Sequence, residues 1–238
     1  MLEAASWGLV TAGSLWVGAA LAAYARPGNR WIGLALAFGS GALVAAVAYE
    51  LVLEAFESSL TSAAVGFAAG ALTFYAGDWA IDRRGGHGRK SMHGEHQLAG
   101  SASAIVLGTI LDGIPESLVL GASLHEGSVA VAVVVGVFVS NVPEALSGTT
   151  GLLQAGWARG RVFAMWSAVV GASVASAALG WYAIDVMPAA TGAFVLAFAG
   201  GALLVMLADT LMPEAFALGG REAGLLTALG FALGFGLS

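Results

Sequence analysis

Two Pro-Glu pairs lie inside strongly apolar stretches of this 238-residue chain. Glu116 follows Pro115 in the first stretch, and Glu144 follows Pro143 in the next. A proline inside a helix removes one backbone hydrogen bond and leaves a carbonyl one turn earlier without its donor. A carboxylate at membrane depth is costly and by default suggests a functional site. The repeated pair therefore predicts a polar site that is shared by two facing helices.

Further oxygen ligands stand close to each Pro-Glu pair. Asp112 lies one helical turn before Glu116, and Ser140 lies one turn before Glu144, so each pair shares one helix face. Asn141 adds an amide oxygen. With the two carbonyls released by the prolines, these groups predict an oxygen-rich site for a divalent cation. Two alternatives stay open: a proton relay, and protonated carboxylates that hydrogen-bond between helices.

Weaker candidate ligands lie elsewhere in the chain. Some are carboxylates in or near apolar segments, and others are histidines in a Gly-rich, basic loop at about 82–99. Neutral imidazole is a good metal ligand, so this loop either binds metal loosely or is a plain basic connector. These candidates are Glu50, Asp209, Glu214, His87, His93 and His96.

The composition places these residues in a membrane. The chain is 58% hydrophobic and 10% charged, with a mean hydropathy of +0.86, whereas an average soluble domain is about 25% charged. Its apolar runs are long and continuous, which favours helices over barrel strands. The absence of cysteine excludes disulfides and thiolate ligands, and the net charge of −6 gives no nucleic-acid signal. We therefore predict an all-α, polytopic membrane protein with one domain, residues 1–238.

Eight apolar segments are predicted to cross the membrane. They are numbered span 1 to span 8 and cover about 5–24, 31–54, 61–81, 100–122, 128–151, 162–184, 190–213 and 222–238. All nine Lys and Arg residues fall in the loops after spans 1, 3, 5 and 7. By the positive-inside rule these loops, including the His-bearing loop, are cytoplasmic and both termini are outside. We expect the plasma membrane as the location.

An internal repeat links spans 2 and 7. Residues 36–56 align without gaps with residues 196–216, at an offset of 160. The predicted directions of spans 2 and 7 are opposite, as are those of spans 4 and 5. This pattern predicts a 3+2+3 arrangement of inverted repeats, which is typical of secondary transporters. The alternative is that two Gly- and Ala-rich helices resemble each other by composition. The matches include Phe38/Phe198, Gly41/Gly201 and Glu54/Glu214.

The chain resembles the ZIP family of divalent-metal transporters over nearly its whole length. The resemblance rests on eight spans with outside termini, a His-bearing loop between spans 3 and 4, and Pro-Glu motifs in spans 4 and 5. Span 7 also carries Pro213-Glu214-Ala215, similar to the family's Pro-Glu-Ala. The resemblance implies that the transport site is lined by Asp112, Glu116, Ser140, Asn141 and Glu144.

The sequence departs from the family pattern at three places. Asp112 stands where the family typically has histidine, and Gly113 stands where it has asparagine. Many members carry a glutamate in span 6, but here span 6 has no charged residue before Asp185. These departures imply one metal ion rather than two. They also shift the expectation from zinc toward manganese or iron(II), because carboxylate is a harder ligand than imidazole. An inactive or repurposed member is the alternative.

The expected function is that of a secondary transporter for zinc, manganese or iron(II). We expect no enzymatic activity and no bound cofactor, with the metal ion as the transported substrate. No Gly-x-x-x-x-Gly-Lys loop suggests nucleotide hydrolysis. The expected partners are the metal ion and the lipid bilayer, without nucleic acid, and a homodimer is left open. Two alternative functions are a proton-coupled carrier of a small organic cation and an intramembrane metal-dependent hydrolase.

Overall fold

The computed structural model describes residues 2–25, 27–83, 108, 110–111, 113, 116–121 and 131–237, without the side chains of 132 and 183–185. Nearly all of these residues are helical, which confirms the all-α prediction for the described part of the chain. Residues 116–121, inside span 4, are helical as well. The α-helices are α1 (Leu2–Ala20), α2 (Asn29–Ala46), α3 (Glu54–Ser58), α4 (Leu60–Ile81), α5 (Val131–Gln154), α6 (Arg159–Val186), α7 (Ala189–Met206), α8 (Met212–Gly219) and α9 (Glu222–Leu237).

Five helical stretches are long and apolar enough to cross a membrane. Each coincides with a predicted span, and α9 is a shorter apolar helix at span 8. α5 occupies span 5. Several long apolar helices in one chain are the feature expected of a multi-pass membrane protein. The five stretches are Leu2–Ala25, Asn29–Ser58, Leu60–Ile81, Arg159–Tyr182 and Ala189–Gly219.

Spans 2 and 7 each contain a π-helical segment and continue beyond it, a few residues further than predicted, to Ser58 and Gly219. Val47–Leu53 joins α2 to α3, and Leu207–Leu211 joins α7 to α8. The two π-helical segments begin 160 residues apart, at Val47 and Leu207. α2 and α7 also begin 160 residues apart. The backbone therefore repeats at the same offset as the sequence. A third π-helical segment, Leu21–Ala25, ends span 1.

Glycines at equivalent positions of the repeat make equivalent contacts. A Cβ on Gly41 of α2 would overlap the Thr227 carbonyl of α9, and a Cβ on Gly201 of α7 would overlap the Phe67 carbonyl of α4. Gly201 is 160 residues after Gly41, and Thr227 is 160 residues after Phe67, so the two contacts are related by the offset of the sequence repeat. Gly70 against Phe198 and Gly230 against Phe38 form another such pair. The repeat is thus present in the packing, which similarity of composition alone does not explain.

Successive contacts give the relative direction of neighbouring helices. Gly66 faces Phe194, and Gly70 one turn later faces Phe198, so α4 and α7 are parallel. Successive contacts also show that α2 is parallel to α9 and that α1 is parallel to α5. They show that α1 is antiparallel to α6 and that α2 is antiparallel to α5. All these directions agree with spans that alternate in direction along the chain.

Helix α4 illustrates how the bundle meets its surroundings. Its buried residues are mostly small and follow a helical stripe at Ala63, Gly66, Gly70 and Phe74. Several of its other large apolar side chains point outward, and Leu72 is 68% exposed. Small residues at the helix contact and large apolar residues outside are the arrangement that suits a bilayer, where close backbone packing replaces the hydrophobic effect.

Three arginines that belong to, or directly flank, predicted cytoplasmic loops lie over aromatic rings. A Schellman turn at Gly156 (φ 84°) ends α5 and leads to two of these arginines at the start of α6. Each guanidinium lies within about 6 Å of a ring centroid, the range of a cation–π interaction. The pairs are Arg83 with Trp79 at 3.8 Å, Arg159 with Tyr24 at 5.2 Å, and Arg161 with Trp157 at 3.9 Å.

Candidate functional site

Buried polar side chains concentrate in one part of the bundle. Among the described residues, all but Ser40 of α2 lie on α1, on residues 116–121, on α5 or on α6. Polar groups in a membrane protein collect where they can contact each other rather than lipid. These four elements therefore enclose a polar centre. Its residues are Thr11, Ser14, Glu116, Ser117, Ser140, Asn141, Glu144, Ser147, Thr149 and Ser173.

A small cavity lies at this polar centre. Its volume of ≈ 10 Å³ is about what one water-sized particle needs. The described lining residues supply two carboxylates, one amide and three hydroxyls, and none of them is Lys, Arg or His. The described lining residues are Thr11, Ala12, Leu15, Gly113, Glu116, Ser117, Val137, Asn141, Glu144, Val169 and Ser173.

The two glutamates of the Pro-Glu pairs line this same cavity. Glu116 is 2% exposed and Glu144 is 7% exposed. Pro143 lies within α5, and the helix continues on both sides of it. The helix is therefore not interrupted at Pro143, where one backbone hydrogen bond is lost.

Asn141 is held by a helix on the other side of the cavity. Its Nδ2 donates a hydrogen bond of 3.2 Å to the backbone carbonyl of Thr11 on α1. A carbonyl can only accept, so the nitrogen of the amide must face α1. The amide oxygen is then left as an acceptor in a residue that lines the cavity and is only 5% exposed. Of the two amide atoms, the oxygen is the one that can coordinate a metal ion.

Ser140 is buried but does not line the cavity. Its Oγ donates to the Val137 carbonyl at 3.1 Å, and its backbone lies against Gly39 of α2. The lining residues of α5 are Val137, Asn141 and Glu144, a stripe at spacings of four and three. Ser140 is at the edge of this stripe, on the side that packs on α2.

The other predicted carboxylates lie away from the cavity. Glu50 and Asp209 are on the π-helical segments of spans 2 and 7, and Asp209 is exposed. Glu214 accepts a hydrogen bond of 3.1 Å from Ser147 Oγ, one turn after Glu144 on α5. Glu214 thus links span 7 to the helix that carries Glu144, without reaching the cavity.

Four predicted ligands lie outside the described residues: Asp112, His87, His93 and His96. Within the described part of the chain, no three His, Asp or Glu side chains are grouped closely enough to hold a metal ion. The described ligand set is therefore two carboxylates plus neutral oxygens.

The cavity also contains hydroxyls that sequence reasoning missed. Thr11 and Ser173 bring α1 and α6 into the site, and Ser117 follows Glu116 directly. Thr11 Oγ1 donates to the Trp7 carbonyl at 3.0 Å, and Ser117 Oγ donates to the Gly113 carbonyl at 2.7 Å. Single Ser and Thr residues are common in Gly- and Ala-rich helices, so no feature of the sequence distinguished them.

A second, larger cavity lies further along α5. Its volume is ≈ 590 Å³. It is lined by the last turns of α5, by the end of span 1 and by the start of α2, next to the predicted cytoplasmic loops. The two cavities share α5 as a common wall. The lining residues are Ala22, Pro27, Gly28, Asn29, Leu146, Thr150, Leu153 and Gln154.

The small cavity offers only oxygen atoms from its described polar residues. Carboxylate, amide and hydroxyl oxygens are the ligands preferred by hard divalent cations such as Mg²⁺, Ca²⁺ and Mn²⁺. Two carboxylates match the charge of one such ion. Neither the protein-family models nor the curated proteins compared with this chain include a match to it.

Proposed function

We propose that this protein is a secondary transporter that carries a divalent transition-metal cation, one ion at a time, across a membrane. The observation that carries the proposal is the pair of buried glutamates, Glu116 and Glu144, around one ion-sized cavity. No basic side chain is present among the described lining residues. Two buried carboxylates at one cavity favour a cation as the occupant, because charged groups at membrane depth are costly and mark ion pathways.

The size of the cavity favours a metal ion over the other candidates. A volume of ≈ 10 Å³ holds about one water-sized particle, which fits a single metal ion better than an organic cation. A hydrolase site would also have to hold a substrate next to a metal-bound water. The oxygen donors favour manganese or iron(II), with zinc as the third candidate.

The packing supports an eight-span architecture with inverted repeats. Contacts and π-helical segments recur at an offset of 160, and helix directions alternate. In this proposal spans 1–3 and 6–8 are inverted equivalents, and spans 4 and 5 form the central pair. The site then lies where the repeats meet, which is the usual position of the substrate in transporters of this kind.

The larger cavity supports a route from the site to the cytoplasmic side. The last turns of α5, which precede Arg159 and Arg161, line this cavity. Basic residues mark the cytoplasmic side of a membrane protein. An ion leaving Glu144 would follow α5 toward Thr150 and Gln154.

The orientation can be tested by cysteine labelling, because the natural chain has no cysteine. Ser58 and Gly28 are both exposed, and they lie at opposite ends of span 2. We expect Ser58→Cys to react with a membrane-impermeant thiol reagent in intact cells, and Gly28→Cys to react only after permeabilisation. The opposite labelling pattern would contradict outside termini.

Uptake by purified protein in proteoliposomes tests the transport proposal itself. We expect saturable uptake of Mn²⁺, Fe²⁺ or Zn²⁺ without ATP, and none of a small organic cation such as tetramethylammonium. Parallel measurements with and without a pH gradient determine whether protons are coupled to transport. Well-folded protein that moves none of the three metals would refute the proposal.

A further inference from the structure

The larger cavity has an amphipathic lining, and none of its described lining residues is charged. Its volume of ≈ 590 Å³ lies within the range of about 300–1,000 Å³ that is usual for pockets that hold small molecules. Asn29, Thr150 and Gln154 supply its polar groups, whereas Leu146 and Leu153 belong to its apolar part. An occupant that matches this lining has a polar end and an apolar end.

Two exposed aromatic side chains place this cavity at the depth of the lipid headgroups. Tyr24 lies near the end of span 1 and is 69% exposed, and Trp31 lies at the start of α2 and is 75% exposed. They stand on either side of residues 27–29, which line the cavity. Tyr and Trp at the ends of membrane-spanning helices collect at the interface between hydrocarbon and water. The cavity therefore lies next to the headgroups on the predicted cytoplasmic side.

Arg159 brings a positive charge to this region. Its guanidinium carbon lies 5.2 Å from the centroid of the Tyr24 ring. Tyr24 follows the lining residue Ala22, and Arg159 follows the lining residue Gln154, so the pair lies beside two of the three segments that line the cavity. Within the described part of the chain, Arg159 forms no ion pair. A guanidinium that lies over a ring keeps the N–H donors at its edge, and these suit a phosphate group.

We propose that the larger cavity binds the headgroup of an anionic phospholipid from the leaflet on the predicted cytoplasmic side. Arg159 pairs with the phosphate, and the side-chain amides of Asn29 and Gln154 donate hydrogen bonds to the headgroup. Leu146 and Leu153 contact the first carbons of the acyl chains. Basic pockets between membrane helices on the cytoplasmic side typically bind anionic headgroups. A soluble phosphate compound would make no contact with the apolar part of the lining, so the lining favours the lipid.

The bound lipid also has a role in transport, and this part of the inference rests on the proposed function. The larger cavity is the proposed exit route, yet its described lining residues include no carboxylate, and Arg159 beside it repels a cation. A phosphate group neutralises that charge, and its oxygens suit hard divalent cations such as Mn²⁺. Anionic lipid should therefore raise the maximal rate of uptake.

Native mass spectrometry of the full-length protein in detergent, with added phosphatidylglycerol, tests the binding. Arg159→Gln removes the positive charge, and Gln154→Glu places a negative charge in the lining. Arg83→Gln is the matched control, because Arg83 also lies over an aromatic ring, 3.8 Å from the Trp79 centroid, but directly follows α4, which does not line the cavity. Inorganic phosphate is added as a competitor. Gel filtration and thermal stability establish that each variant is folded.

We expect Arg159→Gln and Gln154→Glu each to weaken phosphatidylglycerol binding by about 5-fold or more, which corresponds to the usual contribution of one charge near an anionic headgroup. Arg83→Gln should bind the lipid as the wild type does. Equal lipid binding by Arg159→Gln and Arg83→Gln would overturn the site. Competition by inorganic phosphate at the concentration of the lipid would overturn the lipid as its occupant.

Uptake of Mn²⁺ into proteoliposomes tests the role of the lipid in transport. Vesicles of phosphatidylcholine are compared with vesicles that also contain phosphatidylglycerol. A negative surface concentrates Mn²⁺ and changes KM in every variant alike, so the maximal rate is the informative quantity. Phosphatidylglycerol should raise this rate for the wild type and for Arg83→Gln, but not for Arg159→Gln.

Two results would separate the lipid site from the transport proposal. An equal rise in the maximal rate for the wild type and Arg159→Gln would overturn the role of the lipid in transport. A wild-type protein that binds phosphatidylglycerol but moves no metal would overturn the transport proposal and leave the lipid site intact.

Discussion

Replacement of Glu144 or Glu116 by alanine is expected to abolish saturable metal uptake. Both side chains are almost completely buried around one cavity, and in the proposed function each supplies a charged oxygen to the ion. Removing a residue that merely supports a metal ligand typically costs about 10- to 100-fold in affinity or activity. Loss of a ligand itself should therefore reduce uptake by at least about 100-fold. Uptake of radiolabelled Mn²⁺ in proteoliposomes is the measurement.

Two further variants separate charge from packing. Glu144→Gln keeps the size and much of the hydrogen-bonding capacity of the side chain but removes its charge, and it should lose uptake as Glu144→Ala does. Glu57→Ala removes an exposed carboxylate outside the polar centre and should transport normally. Near-normal uptake by both Glu116→Ala and Glu144→Ala would show that the cavity is not the transport site.

Substitution of Gly41 or Gly201 by alanine is expected to destabilise the whole bundle. A Cβ on Gly41 would meet the Phe231 amide nitrogen at 2.8 Å and overlap the Thr227 carbonyl, and one on Gly201 would overlap the Phe67 carbonyl. The obstacles are backbone atoms, so relief requires two helices to move apart. Overpacking of this kind costs about 1–3 kcal/mol or more. For a chain of this size we therefore expect the apparent Tm in detergent to fall by about 2–12 °C.

Gly13→Ala and Gly171→Ala are the matched controls. Both glycines are in helices, and a Cβ on either would have no described atom within 4 Å. Alanine favours a helix over glycine by about 1 kcal/mol, so the controls should keep or raise the Tm. Equal Tm values for Gly41→Ala and Gly13→Ala would contradict the close contact between α2 and α9. Unequal effects of Gly41→Ala and Gly201→Ala would contradict the equivalence of the two halves.

The helices and most of their ends were predictable from the sequence. An apolar run of about 20 residues forms a helix in a bilayer, because the backbone hydrogen bonds must be satisfied within the segment itself. The π-helical segments inside spans 2 and 7 were not predictable, because an average of hydropathy over a window does not distinguish a π-helix from an α-helix.

The two carboxylates of the candidate site were predictable for a related reason. Glu116 and Glu144 stand out because a carboxylate in an apolar run is costly and rare. Asn141 stands out beside them, and the structure places all three at one cavity. Ser140 was predicted from its spacing to Glu144, but the spacing determines only a helix face. The precise edge of that face depends on how α5 is rotated against α2.

The sequence alone therefore determined the chemical character of the candidate site, because charged and amide side chains inside apolar spans are visible in a sequence. It also determined the internal repeat, because spans 2 and 7 share residues at matching positions. Only the tertiary structure decided which neutral groups join the site. Thr11 is distant in sequence from Asn141, and Ser173 is distant from Gly113, yet each pair meets at the cavity. Contacts between residues so far apart in the sequence depend on which helices pack together. A single Ser or Thr among glycines and alanines also gives no sequence signal that it lies at a site.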